Sequence, residues 1–210
     1  MNIVFVHGWG MNSKIWDAMS ASFLEADCSV VDLGFIGGDE NTQCSKAIYI
    51  THSLGTMWAL KHHLSDIEAL VVVNGFSCFL DFAQARVLRT MQKRLLRNPS
   101  VQMQSFWESC GVPDDAQNQF SDPLNTDKLH EGLEWLINWD LSEPLRALQA
   151  PVLSLSGRND FVLPHNKMKT QWAGYDMQTH EHGGHVLPLS HPQWCADQIK
   201  GFISEFELER

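Results

Sequence analysis

Three side chains far apart in the sequence carry the chemistry: the hydroxyl of Ser53, the carboxylate of Asp160 and the imidazole of His185. A serine hydroxyl is a poor nucleophile near neutral pH and needs a base to take its proton. An imidazole serves as that base when a carboxylate holds its other nitrogen. Ser53 lies in Thr51-His52-Ser53-Leu54-Gly55, where an apolar run gives way to a helical pattern. A tight strand-to-helix turn of this kind lifts a serine above the carboxyl edge of a sheet, usually as G-x-S-x-G. Thr51 stands where that pattern has its first glycine. The alternative reading is an ordinary Ser-Leu-Gly turn. Asp160 follows an apolar run in Gly157-Arg158-Asn159-Asp160, and His185 lies in Gly183-Gly184-His185-Val186. Taken singly, Asp160 reads as a turn or N-cap residue and His185 as a loop histidine. Their joint occurrence, in the order Ser, Asp, His and each at a strand end, favours a catalytic triad.

His7-Gly8-Trp9-Gly10 closes the first apolar run. A loop there aims a backbone N–H at a developing oxyanion, so the expected donors are the amides of Trp9 and Leu54. The histidines of His180-Glu181-His182-Gly183-Gly184-His185 allow a rival reading as zinc ligands. No second ligand group accompanies them, and no metal or cofactor is expected. Between Phe82 and Ser100 there are five positive residues and no acidic one: Arg86, Arg89, Lys93, Arg94 and Arg97. Helical spacing puts Arg86, Arg89, Lys93 and Arg97 on one face and Leu88, Met91 and Leu95 on the other. A solvated face is the plain reading. A docking surface for an acidic partner is preferred, because the local charge opposes a net charge of −10 for the whole chain.

The elements that must position these groups alternate. Ile3–Val6, Ser29–Leu33, Ile48–Ile50, Leu70–Val73 and Pro151–Ser156 read as buried strands, with a weaker sixth over Met177–His182. Helices are expected after Ser13, read as the N-cap (Trp16, Met19 and Phe23 on one face), from Leu54 (with Met57, Leu60 and Leu64), and at the end of the chain. That last helix, introduced by Ser190 and Pro192, carries Cys195, Ile199, Phe202, Ile203 and Phe206. Gly34 to Ser45 reads as a loop. Continuous apolar strands separated by helices predict an α/β fold: a mostly parallel sheet of about six strands with helices on both faces. Residues 76–145 show helical periodicity only, with stripes at Leu88, Met91 and Leu95 and at Leu129, Leu133 and Leu136. The expected organisation is a core of 1–75 and 146–210 interrupted by a helical insert.

The chain of 210 residues, 44% hydrophobic and 19% charged, is one domain's worth and not an intrinsically disordered polymer. Its acidity argues against a general nucleic-acid binder. No apolar run is long enough to span a bilayer, and the N-terminal stretch has no basic region or cleavage site, so neither a membrane anchor nor a signal peptide is expected. Five scattered cysteines (Cys28, Cys44, Cys78, Cys110, Cys195) read as free thiols of a cytoplasmic protein.

Several stretches together resemble the α/β-hydrolase superfamily, and within it the pimeloyl-[acyl-carrier-protein] methyl ester esterases: Val6-His7-Gly8-Trp9-Gly10-Met11-Asn12 with Trp16, His52-Ser53-Leu54-Gly55, Gly132-Leu133-Glu134, Asp140-Leu141, Pro144-Leu145, Gly157 with Asp160, Val162-Leu163-Pro164, His185 and Ser190-His191-Pro192. The resemblance implies a serine carboxylesterase of biotin precursor synthesis with the triad Ser53, Asp160 and His185. Its substrate would be the methyl ester of a pimeloyl chain on acyl-carrier protein, with small-molecule esters also cleaved. Trp9, Leu54 and Phe106 match positions that line the family's acyl site, beside Ser53 and His185. The helical insert would be a lid whose basic face receives the carrier. The chain departs from the family in Thr51, in His52 where members often have Trp, in a short segment between Leu33 and Ile48, in a short stretch from Cys110 to Gln119, and in a basic cluster that mostly precedes Phe106. The alternatives are a general short-chain esterase or thioesterase of the same fold, and a ligand-binding protein without catalysis.

Overall fold

The computed structural model describes residues 1–37, 40–42, 44–120 and 122–208. Their strands are β1 (Asn2–Val6), β2 (Asp27–Leu33), β3 (Glu40–Asn41), β4 (Ala47–His52), β5 (Ile67–Val73), β6 (Val152–Gly157) and β7 (Asp176–His180). They form a single sheet in the order β3-β2-β1-β4-β5-β6-β7. Every pairing is parallel except β2 with β3. Apolar β-branched runs build the middle of this sheet: β4 and β6 are buried along their whole length. About six strands are expected and seven are present; the additional one was not read from the sequence. It is β3, an antiparallel edge pair inside the segment read as a loop. Glu40 and Asn41 are exposed and polar, so no apolar pattern marks them.

The sheet is flanked by α1 (Asp17–Ser20), α2 (Leu54–His62), α8 (His165–Gln171), α9 (Leu187–Ser190) and α10 (Pro192–Leu208). Helix α2 packs on β4 and β1, and α10 on β6 and α1. The helix expected after Ser13 is divided into a 3₁₀ turn, Ser13–Trp16, and α1. Asn12, not Ser13, caps it, its side chain accepting from the Lys14 amide. Phe23 lies beyond that helix, yet is buried. Leu64 falls outside α2, in a separate 3₁₀ turn. Cys195, Ile199 and Ile203 are buried along α10, while the side chain of Phe206 lies outside the described residues.

Between β5 and β6 run α3 (Ala85–Arg97), α4 (Pro99–Cys110), α5 (Asp114–Gln117), α6 (Thr126–Asn138) and α7 (Ser142–Ala147). Among the described residues of this segment the only β pairing is one isolated bridge, Ile36 to Leu124. Helix α3 packs on α4 and α6, burying Leu88 and Leu95. Two indoles fasten the segment to the loop after β1: Trp9 Nε1 donates to the Leu129 carbonyl and Trp107 Nε1 to the Gly10 carbonyl, both at 2.8 Å.

The register brings the carboxyl ends of five strands to one rim. Val6 pairs with Thr51, His52 with Val73, Val73 with Leu155 and Gly157 with His180. The loops after those strands share that rim, where open α/β sheets bind ligands. Asp32, near the end of β2, braces the loop after β1. Its carboxylate accepts from the amides of Ser13 and Gly34, both at 3.0 Å, and lies 3.2 Å from His7 Nε2. Burial pushes this carboxyl up; the His7 ring and the two amides outweigh that push and hold it at about 2.

A carboxyl held below its unfolded value stabilises the fold above that value and loses the effect as pH falls. Asp32→Asn is therefore expected to cost about 2 kcal/mol at pH 7, with the deficit shrinking from about pH 4 to pH 2 in denaturant titrations. A deficit constant across that range would contradict this. Gly55, at the start of α2, sets a second condition. A Cβ there would lie 2.4 Å from the Val6 carbonyl oxygen and 2.7 Å from that of His7, backbone atoms that have no room to move. Gly55→Ala is expected to lower unfolding free energy by about 3 kcal/mol; a change under about 0.5 kcal/mol would show that α2 sits less tightly on β1.

Candidate active site

Ser53 occupies the single residue between β4 and α2, with φ 52° and ψ −122°. A non-glycine residue is seldom found there unless its surroundings force it. The forcing is visible on both sides. Ahead of Ser53, Thr51 lies in the strand, where a β-branched residue fits. Its hydroxyl donates to the Val71 carbonyl at 3.1 Å and accepts from Thr56 of α2 at 2.8 Å. Threonine in place of the pattern's first glycine therefore ties the strand to the helix. Behind Ser53, Gly55 lets α2 press against β1. From the side, Gly8 comes so near that a Cβ would meet Ser53 Cβ at 2.8 Å.

His185 Nε2 lies 3.2 Å from Ser53 Oγ, and His185 Nδ1 lies 2.8 Å from Asp160 Oδ2. With Nδ1–H donating to the carboxylate, the Nε2 lone pair faces the serine hydroxyl. All three residues are buried: 8% of Ser53, 2% of His185 and 5% of Asp160 is exposed. Asp160 keeps its orientation because its other oxygen accepts from the amides of Val162 and Leu163, each at 2.8 Å. The three groups singled out from the sequence are thus in contact, in the order that serine activation requires.

Above Ser53 opens a cavity of about 630 Å³, within the range of small-molecule sites. Ser53, His185 and Trp9 line it, and Phe76, Phe79 and Phe82 are among its apolar lining. Helix α4 presents Gln102, Ser105, Phe106 and Ser109 to it, the spacing of one helical face. Phe106 meets Trp9 edge to face, ring centroids 4.6 Å apart. Leu54 is buried at the first turn of α2. The amide of Trp9 follows the residue packed on Ser53, and the amide of Leu54 follows Ser53 itself.

The five basic residues of α3 are all exposed. Spacing alone separated Arg94 from the face of Arg86, Arg89, Lys93 and Arg97; in the structure Arg94 and Arg86 line the cavity together, with Val87 and Met91 between them. Gln92 is buried in place of a fuller apolar stripe and donates to Glu134 of α6. The loop histidines diverge. His185 faces Ser53, while His180 packs on His191 (ring centroids 3.9 Å) and Trp194 (5.0 Å). Among the described residues no group of three His, Cys, Asp or Glu is arranged to hold a metal. All five cysteines are unpaired. No described helix is long and apolar enough to cross a membrane.

Two residues at the rim escaped the sequence reading. Asn74, directly after β5, is fully buried with φ 44°. Its carboxamide donates to the carbonyls of Gly184 and His185 at 2.8 and 2.7 Å and accepts from the Gly157 amide at 2.9 Å. His52, noted only as a departure from a family pattern, donates from Nε2 to the His185 carbonyl at 3.0 Å. Burial, and next the adjoining His185 ring, hold the His52 imidazole well below its usual range.

The pimeloyl-[acyl-carrier protein] methyl ester esterase of Vibrio atlanticus is 30% identical, with 78% of each chain covered. The protein of the same name from Pectobacterium atrosepticum is 25% identical over 96% of this chain and 93% of its own. Among solved structures, an esterase from Exiguobacterium antarcticum superposes with a TM-score of 0.83 at 16% identity, covering 97% of this chain and 92% of that one. A bromoperoxidase from Bacillus anthracis gives the same TM-score at 13% identity, covering 97% and 91%. Structures that distant share the fold alone. Residues 32–198 match the alpha/beta hydrolase family, and to that family the chain belongs.

Proposed function

We propose that this chain, a carboxylic ester hydrolase, works as a serine esterase on the methyl ester of a pimeloyl chain carried by acyl-carrier protein, a step of biotin precursor synthesis in the cytoplasm. One observation carries the chemistry: the continuous contact Ser53–His185–Asp160, whose Ser53 and His185 line a largely apolar cavity. In this reading His185 takes the Ser53 proton as Oγ attacks the ester carbonyl. Asp160 holds the imidazole in the tautomer that makes this possible and stabilises the imidazolium that forms. The amides of Trp9 and Leu54 receive the oxyanion. Losing one such donor typically costs about 3 kcal/mol of transition-state stabilisation. Methanol leaves with the proton from His185, and a water activated by the same imidazole frees the acid.

Three features support the acyl-carrier substrate. The relatives from Vibrio atlanticus and Pectobacterium atrosepticum bear the name of that activity. The cavity is largely apolar, with Trp9, Phe76, Phe79, Phe82 and Phe106 among its lining, as an acyl chain requires. The exposed Arg86 and Arg94 line it, and Arg89, Lys93 and Arg97 extend the positive charge along α3. In this reading the insert, residues 76–145, is a lid and its basic helix the docking surface for an acidic carrier. A general short-chain esterase would use the same triad and ignore the basic helix.

Ser53→Ala is expected to lower kcat toward p-nitrophenyl butyrate by about 10⁶-fold and to abolish labelling by a serine-directed phosphonate, read by mass spectrometry. Retained turnover or a label elsewhere would remove Ser53 from the chemistry. Reversing Arg89, Lys93 and Arg97 to Glu is expected to cut kcat/KM on the carrier-bound ester about tenfold or more and to spare p-nitrophenyl butyrate. Equal effects on both substrates would refute docking. Rescue of a biotin-requiring strain that lacks its own esterase separates the two substrate readings: growth supports the carrier-bound ester, and ester cleavage without growth supports the general esterase.

A further inference from the structure

His185 stands on a backbone that its own sequence leaves loose. It follows Gly183 and Gly184, which allow the chain more conformations than any other pair. A general base must be held within a few tenths of an ångström of its target, and a displacement of about 1 Å can cost about 10²-fold in rate. Something beyond Asp160 therefore has to fix this loop.

The carbonyl oxygen of His185 takes two side-chain donors, Asn74 Nδ2 at 2.7 Å and His52 Nε2 at 3.0 Å. Both donors come from the rigid part of the molecule, at the carboxyl ends of the adjacent strands β4 and β5, where His52 pairs with Val73. Asn74 is fully buried and His52 is 1% exposed. The positive φ of Asn74 turns its carboxamide so that it also holds Gly184 and the end of β6 at Gly157. The His52 ring is fixed by Trp16, edge to face at 6.4 Å, and lies 5.1 Å from the His185 ring. Neither side chain lines the cavity. Burial, and next the adjoining His185 ring, disfavour a charge on the His52 imidazole.

We propose that His52 and Asn74 are positioning residues: acting through the backbone carbonyl of His185, they hold its imidazole in line with Ser53. The proposal rests on the reading of Ser53, His185 and Asp160 as the catalytic triad. It gives His52, where the esterase pattern often has Trp, a defined task. It also explains why a non-glycine residue occupies a left-handed conformation at position 74.

The test compares His52→Phe, His52→Gln and Asn74→Asp with the unaltered chain and Ser53→Ala. His52→Phe keeps a ring and removes the donor; His52→Gln keeps an N–H donor. Asn74→Asp keeps the acceptor for Gly157 and loses both donations. Turnover of p-nitrophenyl butyrate, rate of phosphonate labelling and thermal midpoint are measured for each. The expected result is a fall in kcat of about 10- to 100-fold for His52→Phe and Asn74→Asp, with KM within about twofold and labelling slowed in parallel, and recovery of most of the loss in His52→Gln. If Asn74→Asp does not fold, the two His52 variants decide. Unchanged kcat per folded molecule in His52→Phe, or a loss that His52→Gln does not recover, overturns the proposal. An unaltered chain without turnover, or an active Ser53→Ala, defeats the triad reading instead.

Discussion

At Ser53 the chain passes from β4 into α2 within one residue, at a φ of 52° that costs a non-glycine residue roughly 1–3 kcal/mol. The surroundings supply that energy by leaving the chain no alternative path. The Thr51 hydroxyl joins β5 to α2, and the missing side chain of Gly55 brings α2 onto the carbonyls of Val6 and His7. The amide of Ser53 still donates to Val73, so the strand ladder runs to the residue at which the chain turns. A backbone fixed this way needs little further ordering, and preorganisation of that kind is what the proposed nucleophilic role of Ser53 requires.

The remaining parts converge on that corner from separate regions of the sequence. Parallel register places the loops after β1, β4, β5, β6 and β7 on one rim. Asp160 is held by amides of its own loop, whereas His185 is held by its neighbours' strands. The Trp9 and Trp107 indoles bind the helical segment to the loop after β1, and Phe106 of that segment meets Trp9 and lines the cavity with it. The cavity is lined by aromatic side chains, among them Trp9, Phe76, Phe79, Phe82 and Phe106, and by polar ones, among them Gln102, Ser105, Ser109, Arg86 and Arg94.

Much of this was legible in the sequence because topology did the placing. A buried parallel strand announces itself by a continuous apolar run, and a residue just after such a run must lie at the sheet's carboxyl rim. That logic found Ser53, Asp160 and His185 without knowledge of any contact. It missed β3, since Glu40 and Asn41 pair at an exposed edge with no apolar signal. It took Ser13 as the cap where Asn12 serves, a distinction between adjacent polar residues that only local geometry resolves. It left Arg94 off the basic face because a helical wheel shows which residues share a side, not which side borders the cavity. His52 and Asn74 were invisible for a different reason. Their work is done on a backbone carbonyl more than a hundred residues away, and no spacing rule encodes such a contact.

The most direct measurement of the central claim is a crystal structure of the chain after reaction with a phosphonate that mimics the tetrahedral intermediate. A bond from Ser53 Oγ to phosphorus is expected, with the phosphoryl oxygen about 2.7–3.1 Å from the amide nitrogens of both Trp9 and Leu54. The His185 imidazole should remain between that oxygen atom of Ser53 and Asp160. A phosphoryl oxygen turned to solvent, or an imidazole that has left Asp160, would contradict the account.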